Sequence, residues 1–300
     1  MKTIIKVLKK LARFLIDRYI MFRWRRRKIR QKSDHSSYNE LEFLVENGVV
    51  KINYDFSEFA DYIFYNYTDR ILNNKKIEQD VYSDNNDSNE NGTTLQVDLS
   101  LNDKTIVDFI LNDKIFDILF SYYGREYFLR NNPTLQQIIA KKENWASSIY
   151  HHDRFHQVSL MLLLTDLTED DSHMEYLCGT QKLKFYEWLH LEYDHPNLHE
   201  KVKKCKNRFK LIGKKGTAFL FDSIGIHRSL WKLNTERNVL FLNFTAGHNL
   251  YAFKDQELII SKLSHKNCNI IKREKGTRIF VSPEHYKFAY LKQYKNFYIG

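Results

Sequence analysis

In the stretch SSIYHHDRFHQVSLMLLLTDL, His151 and Asp153 stand two residues apart on what reads as a strand, so both side chains leave one face while His152 leaves the other. An imidazole and a carboxylate are thereby set side by side. A second imidazole, His227, follows the strand-like run TAFLFD in GKKGTAFLFDSIGIHRSLW, where a later strand of a sandwich returns to the same rim. Two histidines and one carboxylate on one face form the facial triad that holds Fe(II) and leaves coordination positions open. Arg237, ten positions after His227 at the start of RNVLFLNF, is placed to bring a guanidinium into the same cavity and grip a carboxylate bidentately. An H-x-D pair by itself is weak, because the same residues recur as ordinary structural or surface groups. The other nearby histidines, His152, His156 and His173, lack HExxH or cysteine-rich zinc spacing and read as pocket or surface residues.

These residues need strands to hold them, and the chain supplies strands mainly in its second half. From Glu126 onward short apolar runs predominate: YFLR, SSIYHHD, VSLMLLLTDL, MEYL, TAFLFD and RNVLFLNF. The first half reads differently. Residues 33–78 alternate helical and short extended patterns, with NGVVKINYDF as a turn followed by a strand. DVYSDNNDSNENGT, Asp80 to Thr93, is polar and acidic and is expected to be a mobile surface loop. From Val97 to Tyr123 the apolar spacing is helical, with Gly124 as the stop. Helices followed by several short strands predict a β-sandwich or jelly roll with helices packed outside it.

Composition agrees with a single sizeable core. Across 300 residues, 43% hydrophobic content excludes wholesale disorder, and ten Gly with three Pro exclude collagen-like or linker-rich chains. Cys178, Cys205 and Cys268 are odd in number and scattered, so neither a disulfide scaffold nor a zinc ribbon is expected, and a reducing compartment is the simpler home. The net charge of +10 is unevenly distributed. Residues 1–32 carry thirteen Lys or Arg and one acid, Asp17, a net of +12, whereas the remainder is −2. Within that tail Ile4, Leu8, Leu11, Leu15, Tyr19 and Phe22 recur at helical spacing. The apolar runs are too short to span a bilayer or to form a secretory signal, so residues 1–32 read as a basic amphipathic helix lying on an anionic membrane surface. The same pattern also fits a helix packed on its own domain. An apolar stripe has no use on phosphates, so no nucleic-acid partner is expected.

The segment from Tyr150 to Phe244 resembles the phytanoyl-CoA dioxygenase-like family of Fe(II)/2-oxoglutarate oxygenases. The likeness runs through HHD at 151–153, the strand ending LTDLTEDD at 164–171, MEYLCGTQK at 174–182, GKKGTAFLFDSIGIHRS and the distal Arg237. It departs from the family pattern at Ser172-His173, where Gly-Pro is usual, and at Gly179-Thr180-Gln181, where relatives often read GSH. The resemblance implies an α+β fold, a double-stranded β-helix (cupin-like jelly roll) flanked by α-helices. It implies His151, Asp153 and His227 as iron ligands and Arg237 on the distal carboxylate of 2-oxoglutarate, with O2 as the oxidant. The carboxylate Asp153 disfavours a halogenase. One jelly-roll oxygenase domain is expected over 33–300, with helical support to about 125 and the core motifs within about 145–250.

A membrane-surface tail and a cytosolic cysteine pattern place the expected substrate at the inner face of the cytoplasmic membrane. Within the wider family, hydroxylases of the lipopolysaccharide sugar 3-deoxy-D-manno-oct-2-ulosonic acid (Kdo) look similar in size and in acting on a lipid-linked sugar acid. An acidic sugar calls for cations beside the iron, and Arg125, Arg130, Lys182 and Arg228 are the candidates, each equally readable as a solvated surface charge. Two rivals stand beside this reading: an oxygenase of another lipid, acyl-CoA or small metabolite, and a non-catalytic jelly-roll membrane adaptor.

Overall fold

The computed structural model describes residues 37–68, 92–99, 103–110, 112–123, 128–129, 133–141, 149–153, 157–183, 198–245, 271–273 and 276–278. The tail 1–32, the acidic stretch 80–91, Arg125, Arg130, His156 and Cys268 lie outside the described residues. Among the described residues no helix is long and apolar enough to cross a membrane.

Helix α1 (Tyr38–Asn47) ends where Gly48 takes φ 80 and returns its N–H to the Leu44 carbonyl, and strand β1 (Val49–Lys51) follows directly. Helix α2 (Ser57–Ile63) runs on into a π-helical turn at Phe64–Thr68. The expected helix from Val97 to Tyr123 is instead a strand and two helices. Val97 belongs to β2 (Gly92–Asp98), which also takes Gly92 and Thr93 out of the expected loop. The helical part divides into α3 (Lys104–Ile110) and α4 (Asp113–Tyr123). Each has its own N-cap: Asp103 Oδ1 accepts the Thr105 N–H, and Asn112 Oδ1 accepts the Lys114 N–H.

The strands are β3 (Phe128–Leu129), β4 (Thr134–Ala140), β5 (Val158–Leu163), β6 (His173–Leu177), β7 (Arg208–Leu211), β8 (Ala218–Asp222), β9 (His227–Leu230) and β10 (Glu236–Thr245), with a short helix α5 (Leu198–Lys204) before β7. Two further strands, β11 (Ile271–Arg273) and β12 (Gly276–Arg278), pair with each other. A major antiparallel sheet has the order β1-β8-β5-β10-β4-β2, with β3 also on β10, and a minor antiparallel sheet has the order β7-β6-β9.

Alternation along the strands sends side chains to two cores. Leu160, Leu162, Leu220, Leu240, Leu242 and Phe244 pack outward against helices α1 to α4. Met161, Leu163, Phe219, Phe221 and Val239 face inward and meet Met174, Tyr176 and Leu211 of the minor sheet. Helices, major sheet and minor sheet are therefore three successive layers, in agreement with the sandwich expectation. The thiols of Cys178 and Cys205 are free.

Candidate metal centre

The segment carrying His151 and Asp153 is not a full strand. It touches the minor sheet at one isolated bridge, where His151 and His227 exchange N–H···O bonds of 2.9 and 3.0 Å. Asp153 is fixed separately, its N–H donating to the Ser223 carbonyl at 3.0 Å. The juxtaposition expected from strand parity is thus present, but a bridge and a turn produce it.

Ser223 lies in the turn between β8 and β9 that delivers His227. Asp222 anchors that turn: its Oδ1 accepts the Ile224 N–H, its carbonyl accepts the Gly225 N–H and the Tyr176 hydroxyl, and its other carboxylate oxygen accepts the Tyr122 hydroxyl. Gly225 is required here, because a Cβ would lie 1.7 Å from the Tyr176 hydroxyl. Thr180 accepts the Ile226 N–H, and Gln181 donates to the Val45 and Glu46 carbonyls. The two departures from the GSH pattern therefore tie the turn after β6 to the approach to His227 and to α1.

The ligand atoms of His151, Asp153 and His227 all lie within 4.8 Å of one another. Nε2 of His151 is 3.9 Å and Nε2 of His227 is 3.8 Å from Asp153 Oδ1. Each Nδ1 is held by a backbone carbonyl, Ile149 at 2.8 Å and Gly225 at 2.9 Å, which turns Nε2 of both rings toward the shared carboxylate. The His227 ring stacks on Tyr176 at 6.4 Å and tilts against Phe221 at 5.6 Å, so it closes one end of the inter-sheet core. Burial first, and then repulsion by His227, pull the His151 pKa down to about 4, so its ring is neutral at physiological pH, as a metal ligand must be.

Arg237 is 1% exposed and shares the inward face of β10 with Val239 and Phe241. Its register partner Ile138 packs on Trp231. Nη2 donates to Gln136 Oε1 at 2.9 Å, whereas Nε and Nη1 are buried without partners among the described residues. Burial lowers its pKa to about 10, so it remains cationic in an apolar setting. Ser229, two residues past His227 and so on the same face of β9, also has a buried Oγ without a partner among the described residues. Neither Gln136 nor Ser229 was singled out by the sequence reading; for Ser229 the available signal was its i+2 spacing from His227.

Among the other candidates, Lys182 is exposed in the turn after β6. Arg228 alternates with His227 and leaves the opposite face of β9, where Nε and Nη2 meet Glu175 Oε2 at 2.7 and 2.6 Å. There Glu175 also accepts the Tyr150 hydroxyl at 2.9 Å. Burial opposes the Glu175 charge, but hydrogen bonds from Arg228 and Tyr150 prevail and hold its carboxyl below the usual range. Burial and the bond to Glu175 push Tyr150 up to about 12. His152 is buried with Nδ1 at the Ile224 carbonyl, and His173 is buried with Nδ1 at the Asp171 carbonyl, 2.7 Å away.

No protein-family profile and no curated protein matches the sequence. The fold is shared with solved non-haem iron enzymes. EctD from S. alaskensis with bound Fe aligns with a TM-score of 0.51 at 15% identity, over 72% of this chain and 79% of that one. The same enzyme with 2-oxoglutarate and 5-hydroxyectoine aligns with a TM-score of 0.50 at 13% identity, over 73% and 80%. The epimerase SnoN in complex with Fe3+, alpha ketoglutarate and nogalamycin RO aligns with a TM-score of 0.50 at 13% identity, over 69% and 82%.

Proposed function

We propose that this protein is an Fe(II)- and 2-oxoglutarate-dependent oxygenase that hydroxylates a C–H bond. The observation that carries the reading is the convergence of His151, Asp153 and His227 in a sandwich that also buries Arg237 with two nitrogens unpartnered among the described residues. Two imidazoles and one carboxylate are the donor set of a facial triad. A buried guanidinium short of acceptors fits a carboxylate of 2-oxoglutarate, with Ser229 and Gln136 as further polar partners. When bound, iron and 2-oxoglutarate together supply the O2-dependent oxidation that such sites direct at unactivated carbon.

The chain's own residues do the rest. The Ile149 and Gly225 carbonyls orient the imidazoles, and Ser223 holds the backbone of Asp153. Asp153, with its side chain 31% exposed, is more open to solvent than His227. Met161, Phe221 and Val239 give the interior an apolar wall that excludes water from the reacting groups. A purely structural adaptor gives no reason for a buried Arg237 that has no acidic partner among the described residues.

The finer reading is a phytanoyl-CoA dioxygenase-like jelly roll acting on a lipid-linked sugar acid, with Kdo of a lipid A precursor as the substrate. It works at the inner face of the cytoplasmic membrane, held there by residues 1–32. Support comes from the motif order between Tyr150 and Phe244 and from the concentration of basic charge in the first 32 residues. Fe(II)-dependent conversion of 2-oxoglutarate to succinate, measured with and without a Kdo-bearing lipid A precursor, tests both levels. Wild-type protein should turn over and His227→Ala should not. Failure of the wild type to bind iron overturns the oxygenase. Iron binding and turnover without response to the glycolipid overturn only the substrate, leaving another lipid, an acyl-CoA or a small metabolite.

A further inference from the structure

His227 is held in register by the β6–β9 ladder, whereas the segment that carries His151 meets that ladder at an isolated bridge. One bridge with two hydrogen bonds joins His151 to His227, and a slip of one residue there would turn one imidazole to the wrong face. On the opposite face of the minor sheet the residues next to them are cross-linked. Tyr150 precedes His151, Arg228 follows His227, and both bond the same carboxylate oxygen of Glu175 on β6, at 2.9 Å and at 2.7 and 2.6 Å. The Arg228 guanidinium also lies over the Tyr150 ring, 4.4 Å from its centroid. From β7, Arg208 donates to the Tyr150 hydroxyl at 3.0 Å. Glu175 is 5% exposed and directly opposite Arg228 in the β6–β9 register, so the carboxylate is fixed in place by its partners.

We propose that Tyr150, Glu175 and Arg228 are positioning residues, a polar clamp behind the metal centre that sets the separation of His151 and His227. The clamp acts through the backbone. Tyr150 fixes the segment that carries His151, Arg228 fixes the strand that begins at His227, and Glu175 is the common point. Removing the carboxylate leaves, among the described residues, the bridge and the Asp153–Ser223 hydrogen bond to tie the two segments, and leaves the phenol and guanidinium without their shared acceptor. The three donors of the triad stay in the chain, but their mutual geometry loosens.

This inference rests on the metal-centre reading above, and anaerobic Co(II) titration of the full chain separates the two. Cobalt reports both affinity and coordination geometry through its visible absorption bands. Wild-type protein should bind one Co(II). Glu175→Ala should bind it roughly 10-fold more weakly, with altered band shape, as expected for loss of a group that supports ligands without touching the metal. Tyr150→Phe keeps the ring and removes one hydroxyl, so it should retain its fold and lose affinity by a smaller factor, about 3-fold on the same scale. Glu175→Gln, which still accepts hydrogen bonds, should recover part of the alanine variant's loss. Wild-type affinity and spectrum in both Glu175→Ala and Tyr150→Phe overturn the clamp while leaving the metal centre standing. If Glu175→Ala fails to fold, an unchanged Tyr150→Phe overturns the clamp by itself. No Co(II) binding by wild-type protein overturns the metal centre and the clamp with it.

Discussion

The two faces of the major sheet use the same strands for different purposes. Outward, Leu160, Leu162, Leu240, Leu242 and Phe244 form an apolar layer beneath the helices. Inward, the intervening residues of β10 run Arg237, Val239, Phe241 and Asn243, an apolar centre with a buried cation at one end and an amide at the other. Sequence neighbours such as Arg237 and Asn238, or Leu242 and Asn243, therefore answer to different demands. Period-two alternation lets one face be optimised for packing while the other keeps a buried charge that packing alone does not favour.

That contrast predicts opposite responses to substitution. Phe244→Ala on the outward face should destabilise the fold by about 3–5 kcal/mol in denaturant titration. Below the unfolding transition, its 2-oxoglutarate requirement should stay at the wild-type level. A raised requirement would show that the outer layer shapes the site directly. Arg237→Met on the inward face should weaken 2-oxoglutarate binding by about 2–3 kcal/mol, the value of a hydrogen bond to a charged group. The same variant should raise the thermal midpoint of the ligand-free protein, since it removes a buried, incompletely paired charge. A lowered midpoint would make Arg237 a structural member and erase the contrast. The smallest effect belongs to the helical layer, where Asn112→Ala removes the cap of α4. It should cost about 1 kcal/mol of stability and leave metal affinity unchanged.

The site was more legible in the sequence than the elements that build it. His151, Asp153 and His227 stood out because few residue types ligate metals, and their ligand atoms do cluster. Strand parity predicts the juxtaposition of the first pair, whereas the structure produces it with one bridge and the Ser223 carbonyl. β4 was missed because TLQQIIA carries Gln136 and Gln137 where strand alternation would lead one to expect apolar residues, and Gln136 is held there by Arg237. β7, RFKL, was hidden by its charge, which is accommodated because Arg208 and Lys210 lie outside the inter-sheet core. The break between α3 and α4 was written locally in Asn112, but the continuous apolar spacing on either side masked it.

Gly225 and Tyr176 have a consequence for how related sequences diverge. The glycine leaves no room for a side chain beneath the phenol, and the phenol in turn bonds the Asp222 carbonyl and stacks on His227. The two positions are therefore one evolutionary unit. A larger residue at 225 is admissible only with a smaller one at 176, and that exchange would remove the ring against which the distal histidine rests. Aligned relatives should show these positions changing together or not at all, which makes a tyrosine paired in register with the distal histidine, plus a glycine two residues before it, a compact pattern for recognising chains built around the same centre.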